Sequence, residues 1–163
     1  MRLCQRFLKG DNMKSINEME IKFKAISANE SFARACVSGF CLNTGLSVDE
    51  LTDIKTAVSE AVTNSVVHAY PNEKGYINMK VEIYDDYIDI EIKDEGIGID
   101  NIEKAREPFY TTKPNDDRSG MGFTVMESFM DNLIVEKNEN GKGLSVKMQK
   151  NINGVNILLG ESV

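Results

Sequence analysis

The chain has 163 residues and a formal net charge of −7. It is long enough for one domain with a sizeable core, because a chain of about 150 residues buries roughly 70% of its unfolded surface. The acidic balance argues against a reader of nucleic-acid phosphates, which needs concentrated positive charge. No apolar run approaches the ~20 residues of a membrane helix, and the first residues lack the apolar region of a secretory signal. Cys4, Cys36 and Cys41 show no metal-binding spacing and are typical of free thiols in a reducing compartment. We therefore expect a cytoplasmic protein with no direct contact to nucleic acid or membrane.

Hydrophobic periodicity indicates one domain at 15–150, with an N-terminal tail at 1–14 and a C-terminal tail at 151–163. Ser27 and Ser47 are each followed three positions later by a glutamate, which predicts capping boxes at the start of two helices. Pro71 predicts the end of the second helix. The predicted elements are a strand at 19–26, helices at 27–42 and 48–70, strands at 76–84 and 87–93, a short helix at 101–105, a helix at 120–130, and strands at 133–137 and 143–150.

This order of elements predicts an α+β fold. Consecutive strands joined by tight turns, such as the one at Asp85 and Asp86, favour a largely antiparallel, mixed sheet. The helices then cover one face of the sheet, which gives a two-layer sandwich.

The longest predicted helix carries a polar pair, Glu60 and Asn64, which project together because they lie four residues apart. His68 continues the same row. A carboxylate can accept a proton from an attacking hydroxyl group, and a carboxamide oxygen is a suitable ligand for Mg²⁺. Such pairs are also common on exposed helices, but Ala57 and Val67 flank this one and indicate that the face is partly covered.

Two glycine-rich segments follow. DEGIG at 94–98 comes directly after a predicted strand, where glycines let the backbone approach a flat ligand and an aspartate can accept a hydrogen bond from the amine of adenine. SGMGF at 119–123 lies where the last helix begins, and backbone N–H groups at such a point can bind phosphate. The polar stretch at 106–118 contains three basic residues. It is typical of a lid over phosphates and also of an ordinary surface loop.

Taken in order, EAVTN at 60–64 and the two glycine-rich segments resemble the N, G1 and G2 boxes of the superfamily of gyrase, heat-shock protein 90, histidine-kinase and mismatch-repair ATPases. Neither a Walker A motif nor the motifs of eukaryotic kinases are present. The resemblance implies a Bergerat-type ATP-binding fold.

Three longer segments are similar to one branch of this superfamily, the bacterial anti-sigma factor serine kinases, and to its sporulation members in particular. They are NESFAR at 29–34, VSEAVTN at 58–64, and TTKP at 111–114 with RSGMGFT at 118–124. The resemblance covers roughly residues 19–150.

The resemblance assigns roles to individual residues. Glu60 is expected to be the general base, Asn64 the ligand of Mg²⁺, and Asp94 the acceptor for the adenine amine. Glu30 and Arg34 are expected to dock partner proteins. The other residues expected to shape the nucleotide pocket, the lid or the phosphate cradle are Gly96, Gly98, Thr112, Arg118, Ser119, Gly120, Met121 and Gly122.

The implied function is that of a homodimeric Mg-ATP-dependent serine kinase. It would bind and inhibit a sporulation sigma factor and phosphorylate the anti-anti-sigma factor that opposes it. Two alternatives stay open: a general-stress-type anti-sigma serine kinase, and a nucleotide-gated anti-sigma module without kinase activity. The ATP domain of a histidine kinase is disfavoured, because the single histidine, His68, lies in the N-box helix and not on an upstream dimerisation helix.

Overall fold

The computed structural model describes residues 14–71, 74–108 and 120–153. The second helix continues directly into a π-helical turn, Ser65–Ala69. No helix within the described residues is long and apolar enough to cross a membrane. The elements are β1 (Asn17–Lys24), α1 (Ala28–Phe40), α2 (Val48–Asn64), β2 (Tyr76–Ile83), β3 (Tyr87–Asp94), α3 (Ile102–Ala105), α4 (Gly122–Phe129), β4 (Asn132–Lys137) and β5 (Leu144–Asn151).

The five strands form one sheet in the order β1-β2-β3-β5-β4. All four neighbouring pairs are antiparallel, so the α+β prediction is confirmed. No parallel pair occurs among the described strands, and the sheet is more uniform than the mixed one expected. The β2–β3 hairpin turns at Asp85 and Asp86, and the Tyr84 N–H donates to the Tyr87 carbonyl oxygen at 2.9 Å.

The core lies between one face of the sheet and the helices, with α2 packed between α1 and α4. This central position explains why α2 is buried over a wide arc. The arc includes Ala57, on the flank of Glu60 and Asn64, as the sequence indicated. Fully buried side chains of the core include Val37, Ile54, Val58, Met79, Val81, Ile90, Ile92, Met126 and Met148.

The two predicted capping boxes differ in outcome. At Ser47 the box is present: the hydroxyl accepts from the Glu50 N–H at 3.2 Å, and the Glu50 carboxylate accepts from the Ser47 N–H at 2.8 Å. At Ser27 the prediction was wrong, because the residue has helical backbone angles and its side chain makes no cap hydrogen bond. Glu30, its expected partner, accepts a hydrogen bond from Ser59 on α2 instead.

The prediction of one α-helix over 48–70 was also wrong at its end. The α-helical geometry stops at Asn64, and the next five residues form the π-helical turn. A π-helical turn accommodates an extra residue and shifts the side chains after it, and such turns are frequent at functional sites.

The outer face of the sheet carries a polar network that sequence patterning did not single out. Gln149 Nε2 donates to Asp89 Oδ1 at 3.1 Å, and Asn132 Nδ2 donates to Gln149 Oε1 at 2.8 Å. Gln149 is buried although it faces away from the core. Burial raises the pKa of Asp89 to about 6, against an opposing effect of the Gln149 hydrogen bond.

Candidate active site

A cavity of about 1030 Å³ lies between α2, the π-helical turn, the end of β3, α3 and the start of α4. Its volume is at the upper end of the range of ligand pockets. Leu144 and Val146 of β5 add apolar surface, and His68 of the π-helical turn also lines it. The predicted site residues that line this cavity are Glu60, Asn64, Asp94, Gly98, Gly120, Met121 and Gly122.

The side chains of Glu60 and Asn64 end at the start of α4. A Cβ atom placed on Gly122 would lie 3.1 Å from Asn64 Nδ2, 3.2 Å from Asn64 Oδ1 and 3.3 Å from Glu60 Oε2. The carboxylate and the carboxamide therefore meet the first residue of α4, as the i, i+4 spacing predicts. A Cβ atom here would be in unusually close contact with both groups, which would have to shift by a few tenths of an ångström to make room for it.

The carboxylate of Asp94 is buried at the end of β3, with the residue only 4% exposed. Its Oδ2 accepts from the Ser65 hydroxyl at 2.9 Å, and its Oδ1 accepts from the Gly96 N–H at 3.1 Å. Burial raises the pKa of Asp94, and the hydrogen bonds from Gly96, Ser65 and the Leu144 backbone oppose the rise. Because a carboxylate offers about four acceptor positions, Asp94 can still accept one hydrogen bond from a ligand amine.

Gly96 does not line the cavity but fixes the loop that does. A Cβ atom here would lie 2.1 Å from the carbonyl oxygen of Ala69, and the N–H of Ile97 donates to that same oxygen at 2.9 Å. Gly98 and Gly120 have positive φ angles of 71° and 64°, which favour glycine. The loop after β3 is thus pressed against the end of the π-helical turn.

Tyr70 connects the end of the π-helical turn to the start of β2 and to the loop after β3. Its hydroxyl donates to the Tyr76 carbonyl oxygen at 2.7 Å and accepts from the Glu95 N–H at 2.9 Å. Sequence reasoning missed this contact and the contact of Ser65 with Asp94. For Ser65 a signal was available, since a hydroxyl on the apolar face of a helix needs a buried partner.

Three predicted residues, Thr112, Arg118 and Ser119, lie outside the described residues, as does most of the predicted lid. At the start of α4, no side chain within the described residues caps the helix. Gly120, Met121 and Gly122, at this helix start, line the cavity, and Gly122 lies beside the side chains of Glu60 and Asn64.

The predicted docking residues lie on α1, beside a second groove that adjoins α2. Arg34 Nε contacts Glu30 Oε1 at 3.3 Å, and the Ser59 hydroxyl donates to the same carboxylate oxygen. A groove of about 330 Å³ runs along these residues, and Thr63 borders both this groove and the main cavity. The expected partner-docking residues on α1 and the expected catalytic residues on α2 therefore lie on neighbouring helices.

The donor set suits an oxygen-ligated cation more than a closed metal site. Within the described ranges there is no group of three or more His, Cys, Asp or Glu side chains that could hold a metal. Mg²⁺ commonly keeps several waters and takes one or two protein oxygens together with phosphate oxygens. Asn64 Oδ1 fits that mode of binding.

The family model for the histidine kinase-like ATPase domain matches residues 23–150 of the chain. Solved structures of low sequence identity share the fold. One contains the RsbU and RsbW domains of a Mycobacterium tuberculosis protein, with a TM-score of 0.59 at 16% identity, covering 82% of this chain and 31% of that one. Another is the mycobacterial sensor histidine kinase MprB, with a TM-score of 0.54 at 15% identity, covering 82% of this chain and 97% of that one.

Curated relatives define the family more narrowly. The anti-sigma F factor of Clostridium acetobutylicum is 54% identical over 82% of this chain and 93% of its own length. That of a Geobacillus species is 52% identical over 83% of this chain and 93% of its own length. The chain therefore belongs to the histidine kinase-like ATPase domain family and, within it, to the anti-sigma F factors.

Proposed function

We propose that this protein is an ATP-dependent serine kinase that binds and inhibits a sporulation sigma factor and phosphorylates that factor's anti-anti-sigma antagonist. The main support is that Glu60, Asn64 and Asp94 all line one cavity, in a chain whose relatives are anti-sigma F factors.

The proposed binding mode follows the chemistry of the cavity. Asp94 accepts a hydrogen bond from the adenine amine, and the apolar side chains of Leu144 and Val146 contact the base. The phosphates lie toward the start of α4, where Gly120, Met121 and Gly122 leave backbone N–H groups accessible. Thr112, Arg118 and Ser119 complete the phosphate site in this proposal, with Arg118 at the terminal phosphate.

The proposed reaction is transfer of the terminal phosphoryl group to a serine hydroxyl. The serine oxygen forms a bond to the γ-phosphorus, the bond from that phosphorus to the β,γ-bridging oxygen breaks, and ADP leaves. Glu60 accepts the proton of the serine hydroxyl. Asn64 would hold Mg²⁺, which when bound neutralises charge on the phosphates.

Partner binding is assigned to the groove that Glu30 and Arg34 line. A carboxylate of a partner protein can approach Arg34, whose side chain is 46% exposed although it pairs with Glu30. We further propose a cytoplasmic homodimer that does not contact nucleic acid directly, in line with its acidic composition.

The test is incubation of the purified protein with labelled Mg-ATP and a candidate anti-anti-sigma protein, followed by phosphoamino-acid analysis. Phosphoserine on the partner is expected. Glu60→Gln should abolish transfer and leave nucleotide and sigma binding intact, whereas the exposed control Glu139→Gln should transfer normally. Continued phosphorylation by Glu60→Gln would refute the role of Glu60 as base.

Other outcomes distinguish the alternatives. Nucleotide binding and sigma capture without any transfer would indicate a nucleotide-gated binding module. Capture of a general-stress sigma factor in preference to a sporulation one would indicate the stress-type kinase.

A further inference from the structure

The turn between β4 and β5, residues 138–143, packs directly on the loop that follows β3. Gly143 has a φ of 75°, and a Cβ atom there would lie 2.0 Å from the carbonyl oxygen of Asp94. Further along the same loop, a Cβ atom on Gly98 would lie 3.3 Å from the carbonyl oxygen of Gly143. The two backbones are thus in close contact beside the cavity.

One side chain, that of Asn138, bonds the two segments together. It is 7% exposed. Its Nδ2 donates to the carbonyl oxygen of Asp94 at 2.7 Å and to that of Lys142 at 2.6 Å. The orientation of the amide is determined by these contacts, because a flipped amide would place Oδ1 against two carbonyl oxygens.

The oxygen of the same amide, Oδ1, is less favourably placed than the nitrogen. Among the described residues, Asn138 Oδ1 is a buried oxygen without a hydrogen-bond partner. An unpaired buried acceptor destabilises a fold, which offsets part of what the two donor bonds contribute. The clearest consequence of Asn138 is therefore geometric: it fixes the main chain of Asp94 relative to the start of β5.

We propose that Asn138 is a positioning residue for base recognition. By holding the Asp94 main chain, it places the Asp94 carboxylate where a purine 6-amino group can donate to it. Asn138 itself does not line the cavity and acts only through Asp94. The inference rests on the proposed function in one respect, that Asp94 is the acceptor for the nucleotide base.

The test compares ATP with ITP, which carries a 6-oxo group in place of the amine. Dissociation constants for both are measured by titration calorimetry on the full chain with Mg²⁺. The unmodified protein should prefer ATP. Asn138→Ala should reduce the preference for ATP, measured as the dissociation constant for ITP divided by that for ATP, by about tenfold. This change is the equivalent of one hydrogen bond. Asn138→Ser, which keeps one hydroxyl donor in a smaller side chain, should be intermediate and serves if the alanine variant does not fold.

A matched control is Asn140→Ala in the same turn. Asn140 is exposed, and its Oδ1 accepts from the Lys142 N–H at 3.0 Å within the turn itself. Its loss should leave the ATP-to-ITP ratio unchanged.

A merely structural role for Asn138 predicts a different pattern. If the Asn138 variants change both constants by the same factor, or change neither, the positioning role is refuted and the proposed function stands. If the unmodified protein fails to bind ATP, or binds ATP and ITP equally, both the positioning role and the proposed use of Asp94 fail.

Discussion

The hydroxyl of Ser65 donates a hydrogen bond of 2.9 Å to Asp94 Oδ2. This contact joins the first residue of the π-helical turn to the last residue of β3, and both residues are buried. This hydrogen bond therefore links the two halves of the candidate site. One half is the α2 helix with Glu60 and Asn64, and the other is the end of β3 with Asp94.

Ser65→Ala is expected to weaken ATP binding about tenfold at neutral pH, because it removes one of the donors that orient Asp94 and stabilise its charge. The change is measured by titration calorimetry. Ser31→Ala is the control, since Ser31 is an exposed residue of α1 and its hydroxyl donates to the Ala28 carbonyl oxygen of the same helix. Equal affinity for ATP in Ser65→Ala and the unmodified protein would contradict the orienting role.

ATP binding should weaken on acidification at a pH above the ordinary range of aspartate. Burial raises the pKa of Asp94, and the protonated carboxyl is a poorer acceptor for the adenine amine. Because the pKa in the folded state is higher than in the unfolded state, protonation of Asp94 stabilises the fold as pH falls through the folded-state value.

As pH falls, the affinity for ATP should thus decrease while the contribution of Asp94 to the stability of the fold increases. Asp94→Asn should bind ATP weakly and with less dependence on pH, as measured by titrations from pH 7 to pH 5. A pH dependence of binding that is the same in both proteins would show that another group titrates.

The two serine–glutamate pairs at the helix starts should differ in their effect on stability. Ser47→Ala removes a hydrogen bond from a complete capping box and should lower the free energy of unfolding by about 1 kcal/mol. Ser27→Ala removes no cap hydrogen bond and should change it by less than about 0.5 kcal/mol. Urea unfolding of both variants provides the measurement, and equal losses would contradict the difference between the two caps.

Structural features that depend on near neighbours in the chain can be predicted from the sequence. The Ser47 cap and the shared direction of Glu60 and Asn64 depend on neighbours within four positions, so local spacing predicts them. The hairpin at Asp85 and Asp86 is equally local.

Prediction from the sequence fails where a residue far along the chain determines the local structure. Ser27 and Glu30 have the same spacing as Ser47 and Glu50. The Glu30 carboxylate, however, accepts a hydrogen bond from Ser59 on α2. The helix beyond Asn64 becomes a π-helical turn whose last carbonyl oxygen, on Ala69, accepts from Ile97 far along the chain. Such contacts exist only once the sheet and helices are packed.

The outer face of the sheet provides a prediction independent of the nucleotide site. Burial raises the pKa of Asp89 from 3.8 to about 6, so between these values the folded protein binds a proton that the unfolded chain has lost. The free energy of unfolding therefore falls as pH rises from about 4 to about 6 and stays lower above that. Allowing for solvent screening at this half-buried group, the loss is about 1–2 kcal/mol.

Asp89→Asn removes the charge and keeps an oxygen that can accept from Gln149. It should raise the free energy of unfolding at pH 7 by about 1 kcal/mol, and the difference from the unmodified protein should disappear near pH 4. Urea unfolding at several pH values gives the measurement, with Asp85→Asn in the exposed hairpin turn as the control. A variant that is less stable at pH 7 would show that the ionised carboxylate, held by Gln149, stabilises the outer face after all.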